Sequence, residues 1–362
     1  MLESRLTERQ LIDRFIDALR ELPEVAATLA HRDRVTTRGD RGYDAEVALH
    51  VAGKSFVLLI EVKKTVFPRD VRQLVWQLRE ASHNRPAGQV PLPLLVAESL
   101  SPGAKELLRS ERIGYYDSGG SLYLPAPGAY LYIEKPPPKA LAKSVRMLFT
   151  GRRAQVLHTM LVRHQKWFGV TELAQQAMVS PATASQVLTE LERFDWLVAR
   201  GQGPSKERHL REPTALLDAW AKQLATIRPL ILRRYYVPGT KPEMLAVRIG
   251  QVFDMHNVEY EITHEAAAQR YAPFLSNVSQ VRVRVLIGAN ADAAIGDLGG
   301  RVVNEGANLG IVDADSPGEL LFRDRVDDLW LASPIQIYLD LLRGEGRSKE
   351  LAEHFRKERI GF

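Results

Sequence analysis

Cysteine is absent from the 362-residue chain, which excludes disulfides, thiolate catalysis and sulfur-held zinc or iron–sulfur sites. Long apolar runs are missing as well. None approaches the ~18 residues a membrane span needs, and MLESRLTERQ at the start lacks the apolar h-region of a secretory signal. The nine histidines are scattered without H-x-H or HExxH, so no histidine-rich metal site is expected. No G-x-S-x-G occurs, and serine-hydrolase chemistry therefore has no support. Internal repeats and low-complexity tracts are also lacking. What remains is 45% hydrophobic and 26% charged, a composition that supports globular cores. The expectation is a soluble protein of a reducing cytoplasm with no membrane part.

Net charge is +5, and its distribution says more than its sum. Residues 141–213 hold eleven Lys/Arg against six Asp/Glu, so this segment carries the whole excess. A basic middle between neutral flanks points to one part that meets a polyanion.

The pattern divides the chain into an α/β multi-domain protein. Residues 1–135 mix one amphipathic helix over 7–22, a hairpin, a helix over 68–82 and further short strands, which predicts a small α/β sheet domain. The stretch KPPPK at 135–139 favours stiff polyproline II and opens a linker and lead-in over 136–150. Residues 151–213 read as helix, helix, turn, helix and a basic Gly-rich loop. A connecting helix over 214–228 leads to a mixed α/β domain over 229–362, with strands at RRYYV, VEYEIT and VRVRVLI.

The segment RGYDAEVALHVAGKSFVLLIEVKK raises a chemical question, because a strand that should stay apolar ends in Glu61 and Lys63. Side chains alternate along a strand, so both project from the face that also carries Val57 and Leu59. A two-residue loop at Ala52-Gly53 pairs Asp44 with Glu61, and a loop at Gly53-Lys54 pairs Asp44 with Lys63. Directly opposed residues share a face, so Asp44, Glu61 and Lys63 converge in either register. Two carboxylates suit Mg²⁺ or Mn²⁺, and an ammonium beside them can stabilise charge on a phosphate. The plain alternative is a strand ending at the solvent rim, with Asp44 capping the hairpin.

This Asp…Glu-x-Lys spacing resembles the PD-(D/E)XK nuclease superfamily, which includes archaeal Holliday-junction resolvases, RecB-like and restriction-type nucleases. The resemblance covers about residues 1–134 and implies a restriction-endonuclease-like sheet domain. It also implies Asp44 and Glu61 as metal ligands and Lys63 as the catalytic lysine. Gln77 or Gln73 on the following helix resembles the glutamine that many members add, and Glu8 on the first helix is a further candidate. The family's proline before the aspartate is replaced by Tyr43.

In the basic middle, Ser180 can cap a helix that starts at Pro181. Val187, Leu188 and Leu191 supply its buried stripe, which leaves Thr183, Ser185, Gln186, Thr189 and Arg193 for base edges or phosphates. The loop RGQGPSKERHLR offers Arg200, Lys206, Arg208 and Arg211 to the DNA backbone. The stretch resembles winged-helix domains of the MarR-like kind, which implies a second helix in the major groove; some relatives use this fold for protein contacts instead.

The C-terminal run from about residue 229, with RYYVPG and ASPIQIYLDLL, resembles AbiEi-type antitoxins of type IV toxin–antitoxin systems. That resemblance implies autorepression and a nucleotidyltransferase-like toxin as partner, or self-association through this domain. Two motifs are set aside. GKS at 53–55 lacks the first glycine of a phosphate-binding loop, and Gly299-Gly300 with Asp313 and Asp315 lacks the helix that nucleotidyltransferase spacing needs.

The expected function is that of a DNA-binding protein with a Mg²⁺- or Mn²⁺-dependent nuclease domain, targeted to double-stranded or branched DNA by a winged helix. The alternative is a transcriptional repressor or antitoxin-like regulator whose nuclease-like domain is a non-catalytic scaffold. An adaptor whose winged helix binds protein is the third possibility.

Overall fold

The computed structural model describes residues 6–32, 43–83, 91–224, 231–240, 242–275 and 278–362. The chain forms two compact units, Met1–Val145 with Glu190–Asp195, and Arg146–Thr189 with Trp196–Phe362. The helix-turn-helix segment and the C-terminal segment, expected as separate domains, thus fall largely within one unit. Residues 225–228 of the expected connecting helix, the boundary at 229, and residues 41–42 of the acidic hairpin's lead-in lie outside the described residues.

The first unit is built on a seven-stranded sheet in sequential order, β1 to β7. Its strands are β1 (Val25–Arg32), β2 (Ala45–Val51), β3 (Lys54–Val66), β4 (Leu92–Leu100), β5 (Gly114–Asp117), β6 (Leu122–Ala126) and β7 (Ala129–Ile133). Only β3–β4 and β4–β5 pair in parallel; the remaining neighbours are antiparallel. Three helices interrupt the strands: α1 (Glu8–Arg20), α2 (Pro68–His83) and α3 (Pro102–Ser110).

Helix α1 starts where Thr7 accepts the Gln10 amide and the Gln10 side chain reciprocates, a capping box. Its stripe of Leu11, Ile12, Phe15, Ile16 and Leu19 packs on Leu58, Ile60, Val62, Leu94 and Val96. The opposite face packs Leu95, Ala97 and Tyr115 against Val71, Leu74 and Leu78 of α2 and Leu108 of α3. Strand β4 is therefore covered on both sides, which explains why LPLLVAESL is nearly continuous in apolar residues rather than alternating.

The helix α4 (Lys139–Leu148) begins directly after the three prolines, so most of the expected lead-in is helical. Next come α5 (Gly151–Val162), β8 (Trp167–Phe168), α6 (Val170–Gln176), α7 (Pro181–Arg193), β9 (Leu197–Arg200) and β10 (Glu207–Leu210), all in the second unit except the end of α7 from Glu190. The three strands form a sheet in the order β8-β10-β9, with β9 and β10 paired antiparallel as a hairpin. Helix α8 (Pro213–Leu224) comes next.

The remaining strands are β11 (Arg233–Tyr236), β12 (Tyr260–Thr263), β13 (Val281–Leu286), β14 (Arg301–Val302), β15 (Leu309–Ala314), β16 (Asp324–Val326) and β17 (Leu329–Leu331). They make a mixed sheet in the order β14-β11-β15-β13-β12-β17-β16. Helices α9 (Pro242–Met255), α10 (His264–Tyr271), α11 (Ala289–Asp297), α12 (Pro334–Leu341) and α13 (Ser348–Phe355) complete this mixed α/β unit. No helix among the described residues is long and apolar enough to cross a membrane.

Candidate active site and nucleic-acid surface

The acidic hairpin is set by its turn. Ala52 and Gly53 both have positive φ, 51° and 73°, as a two-residue turn requires when its twist matches the strands it joins. Glycine adopts that backbone freely, whereas the alanine Cβ opposes it. Ala52→Gly is expected to stabilise the protein by about 1 kcal/mol, seen as a higher urea midpoint at unchanged slope. A lowered midpoint would mean the turn carries no such strain.

The turn places Val51 opposite Lys54 and Ala45 opposite Ile60. Of the two registers open from the sequence, this is the one set by the Ala52-Gly53 loop; its ladder ends at Ala45, and Asp44 lies just before β2. The Asp44 amide donates to the Ile60 carbonyl at 2.7 Å, and the Val62 amide donates to Asp44 Oδ2 at 2.6 Å. Asp44 is thereby tied to the backbone amide lying between Glu61 and Lys63 in sequence.

Glu61 is buried and Lys63 is partly exposed, with side-chain exposures of 11% and 42%. The Lys63 ammonium donates to Glu61 Oε1. Burial works to lower the Lys63 pKa, but the hydrogen bond and charge of Glu61, followed by Asp44 and Glu8, outweigh it and hold it above its ordinary value. Lys63 is therefore an ammonium at neutral pH, suited to stabilising negative charge.

Glu8 lies close enough to act on Lys63 electrostatically, and the two line a hollow of about 530 Å³ with Thr7, Val62 and Lys64. The glutamines are not brought in. Gln77 is half-buried and Gln73 exposed on α2, and among the described residues neither hydrogen-bonds Asp44, Glu61 or Lys63. Helix α2 spends its inward face on Val71, Leu74 and Leu78.

Two carboxylates from neighbouring strands fit the chemistry of Mg²⁺ or Mn²⁺, since Mg²⁺ keeps several waters and takes only one or two carboxylates. Among the described residues no group of three or more His, Asp or Glu is placed to hold a metal. Glu8 therefore does not complete a three-carboxylate set.

At the start of α7, Ser180 Oγ accepts the Thr183 amide at 3.2 Å, and Val187, Leu188 and Leu191 are buried as the spacing predicts. Gln186, Thr189 and Arg193 are exposed, while Thr183 and Ser185 are half-buried. Arg193 pairs with Glu190 at 3.0 Å. The sequence pattern did not single out Arg153, which donates to Gln186 Oε1 at 3.2 Å and so holds one of the groups expected to read bases. Its signal was the arginine pair that opens α5.

In the β9–β10 hairpin, Arg200 is exposed, stacks 4.3 Å from the Trp167 ring centroid and pairs with Glu207 at 2.7 Å. Arg211 is exposed beside Glu212, and Lys206 is half-buried. Arg208 departs from expectation: it is 8% exposed and donates to the Lys206 carbonyl. A stretch expected as a phosphate-facing loop is partly strand β10, whose alternation turns Arg208 and Leu210 inward.

A second charged cluster, also unforeseen, lies in the second unit. Arg284 on β13 donates to Glu261 on β12 at 3.2 Å and to both oxygens of Asp340 on α12 at 3.0 and 3.2 Å. Asp340 also accepts from Thr263 and Gln336. Burial pushes the Glu261 carboxyl up to about 8, against the pull of Arg284 and with the push of Asp340. Burial likewise lowers His158 and His264 to about 4.

Neither a family model, a curated protein nor a solved structure matches this chain.

Proposed function

We propose that this chain acts on DNA, with a metal-dependent phosphodiester-hydrolysing domain of the PD-(D/E)XK kind in its first unit and a winged helix that docks on duplex DNA. The observation that carries the reading is the Asp44 carboxylate held on the Val62 amide, between Glu61 and Lys63 in sequence, with Lys63 bonded to Glu61. The element order supports it: helix, three antiparallel strands, helix, then a parallel strand, with helices on both faces. Asp44 and Glu61 are the residues that would hold Mg²⁺ or Mn²⁺, and the ion would supply Lewis acidity and a bound water of lowered pKa. Asp44 is oriented by the Val62 amide, which occupies Oδ2. Lys63 sets a positive charge where negative charge develops on phosphate.

The test is to incubate supercoiled, linear, branched and single-stranded DNA with Mg²⁺ or Mn²⁺, and to measure binding in EDTA alongside. Cleavage that requires the metal supports the nuclease; inert DNA across all substrates and both metals would sink it. For the winged helix, a Lys206→Ala/Arg211→Ala double variant is expected to weaken binding to all duplexes alike. It should also flatten the slope of log affinity against log salt by about 2. An unaltered slope would take the wing off the DNA.

A second reading, a repressor or antitoxin-like regulator with a non-catalytic first domain, is favoured by the Lys63 ammonium already occupying Glu61 and by the lack, among the described residues, of a third acid placed to hold the ion. It predicts tight, EDTA-resistant binding to one promoter without cleavage, and a nucleotidyltransferase-like partner bound through residues 229–362. Binding to neither DNA nor metal would leave the protein-binding adaptor.

A further inference from the structure

We infer that the first unit holds a pocket for one unpaired nucleotide of a DNA strand, and that Glu98 makes it favour a base with an exocyclic amino group over thymine. This rests on the proposed action on DNA. The cavity holds about 850 Å³, within the ~300–1,000 Å³ typical of small-molecule sites. Its lining residues all belong to the first unit. It shares Leu6 and Lys64 with the hollow lined by Glu8 and Lys63, so the two adjoin. Thr65, Ser99 and Ser118 line it where β3, β4 and β5 run out. That is the carboxyl end of the parallel strands, where open α/β sheets take their ligands.

Glu98 on β4 supplies the observation that selects a base. Its Oε2 is buried and, among the described residues, accepts no hydrogen bond. A buried carboxylate oxygen left unpaired is costly, and the cation beside it does not relieve it. Lys63 opposes Ala97 and Thr65 opposes Ser99, which sets Lys64 next to Glu98 on neighbouring strands. Yet Lys64 is exposed, and among the described residues the two form no ion pair.

The charged groups of the lining divide into those already paired and those left over. Arg193 pairs with Glu190 at 3.0 Å, and Asp70 accepts the Phe67 amide at 3.0 Å. Arg14, Lys64 and Glu98 remain, and among the described residues neither cation makes a hydrogen bond or ion pair. A ligand that answers all three carries negative charge toward the exposed Arg14 and Lys64 and an N–H donor toward the buried Glu98 oxygen. A nucleotide within a strand has both, with a phosphate on either side and a base edge between. Cytosine and adenine present amino donors, whereas thymine presents O4, an acceptor that a carboxylate repels. The Arg193 guanidinium, 5.7 Å from the Phe67 ring centroid, offers a planar surface on which a base can stack. A paired base has its amino group engaged and its faces covered, so the nucleotide that enters comes from a single strand or a branch.

The test is fluorescence anisotropy of the full chain, in EDTA, with short labelled single strands of dC and of dT. The dC strand is expected to bind about tenfold more tightly, the scale of one hydrogen bond to a charged group. Glu98→Gln, whose amide can donate to thymine O4, should bring the two within about twofold, with an unchanged far-UV circular dichroism spectrum. The Arg14→Met/Lys64→Met double variant should weaken both strands alike and flatten the slope of log affinity against log salt by about 1.4. The mononucleotide dCMP, which lacks a second phosphate, should bind about tenfold more weakly than the dC strand or worse. The inference is overturned if neither strand binds, if the parent binds dC and dT equally, if the preference survives in Glu98→Gln, or if dCMP binds as tightly as the strand. Metal-dependent cutting with no preference between dC and dT would overturn it and leave the nuclease standing. A dC preference that Glu98→Gln abolishes would uphold it even where no strand is cut.

Discussion

With Mn²⁺ present, the parent chain is expected to cut supercoiled DNA, while Glu61→Gln and Lys63→Met each lose about 10²–10³-fold or more in rate, the scale of removing one preorganised charge from a reacting oxyanion. Glu61→Gln keeps the shape of a buried side chain and removes only its charge. Lys63 is partly exposed, so its replacement is expected to leave the urea midpoint close to the parent's. The two variants should also part company in their response to the ion. Glu61→Gln is expected to need more Mn²⁺ for any residual cutting, because it removes one of the two carboxylates. Lys63→Met should be slow at every Mn²⁺ concentration. Parent-like rates in both variants would remove this cluster from the chemistry, and the basic segment over 151–213 would then be judged by its binding alone.

The largest loss of stability is expected at Asp340. Its carboxylate receives Thr263, Gln336 and both contacts from Arg284, and Asp340 and Arg284 have side-chain exposures of only 3% and 8%. Asp340→Ala strands a buried guanidinium, which typically costs about 3–5 kcal/mol. The double replacement Arg284→Met/Asp340→Leu should recover much of that loss, since a paired apolar substitution removes both desolvated charges. A double variant no more stable than Asp340→Ala would show that the pair contributes more than its burial costs.

The same cluster makes stability depend on pH, with opposite signs on the two sides. Glu261 keeps a proton in the folded chain from its ordinary 4.5 up to about 8. Over that window the unfolded chain holds fewer protons, so stability falls as pH rises, by about 1 kcal/mol per pH unit. His158 and His264, lowered from 6.5 to about 4, act the other way: the unfolded chain takes up their protons first, and stability falls as pH drops below 6.5. Two histidines outweigh one glutamate below 6.5. The urea midpoint is therefore expected to peak near pH 6.5, and Glu261→Gln should flatten its decline between 6.5 and 8. A parent midpoint that stays level across that upper interval would mean Glu261 holds no such proton.

The hairpin was legible in the sequence because alternation and a two-residue turn leave few registers, and the remaining ambiguity between Glu61 and Lys63 was one step of pairing. The order of helices and strands in residues 1–135 was legible for a similar reason except at β1 (Val25–Arg32), a strand that was not expected between the first helix and the hairpin. Arg208 was not, because a short strand beside Gly201 and Gly203 looks like loop until its partners Val198 and Ala199 are known. Gln77 was placed by analogy with other chains and not by any local pattern, and nothing in α2 obliges it to turn toward the acids. The Arg284–Asp340 pair was hidden by distance along the chain: its members sit 56 residues apart, and each is locally only a charged residue in an apolar run.

The turn at Ala52 and Gly53 also bears on how this chain can change over time. Adding one residue there keeps Asp44 beside Glu61 and Lys63 only if the longer loop absorbs it as a bulge with the strand pairing unchanged; a one-residue slip of the pairing instead turns every side chain of one strand to the other face. Chains that lengthen this tip by one residue should therefore carry a glycine for the bulge wherever they keep the acid pair.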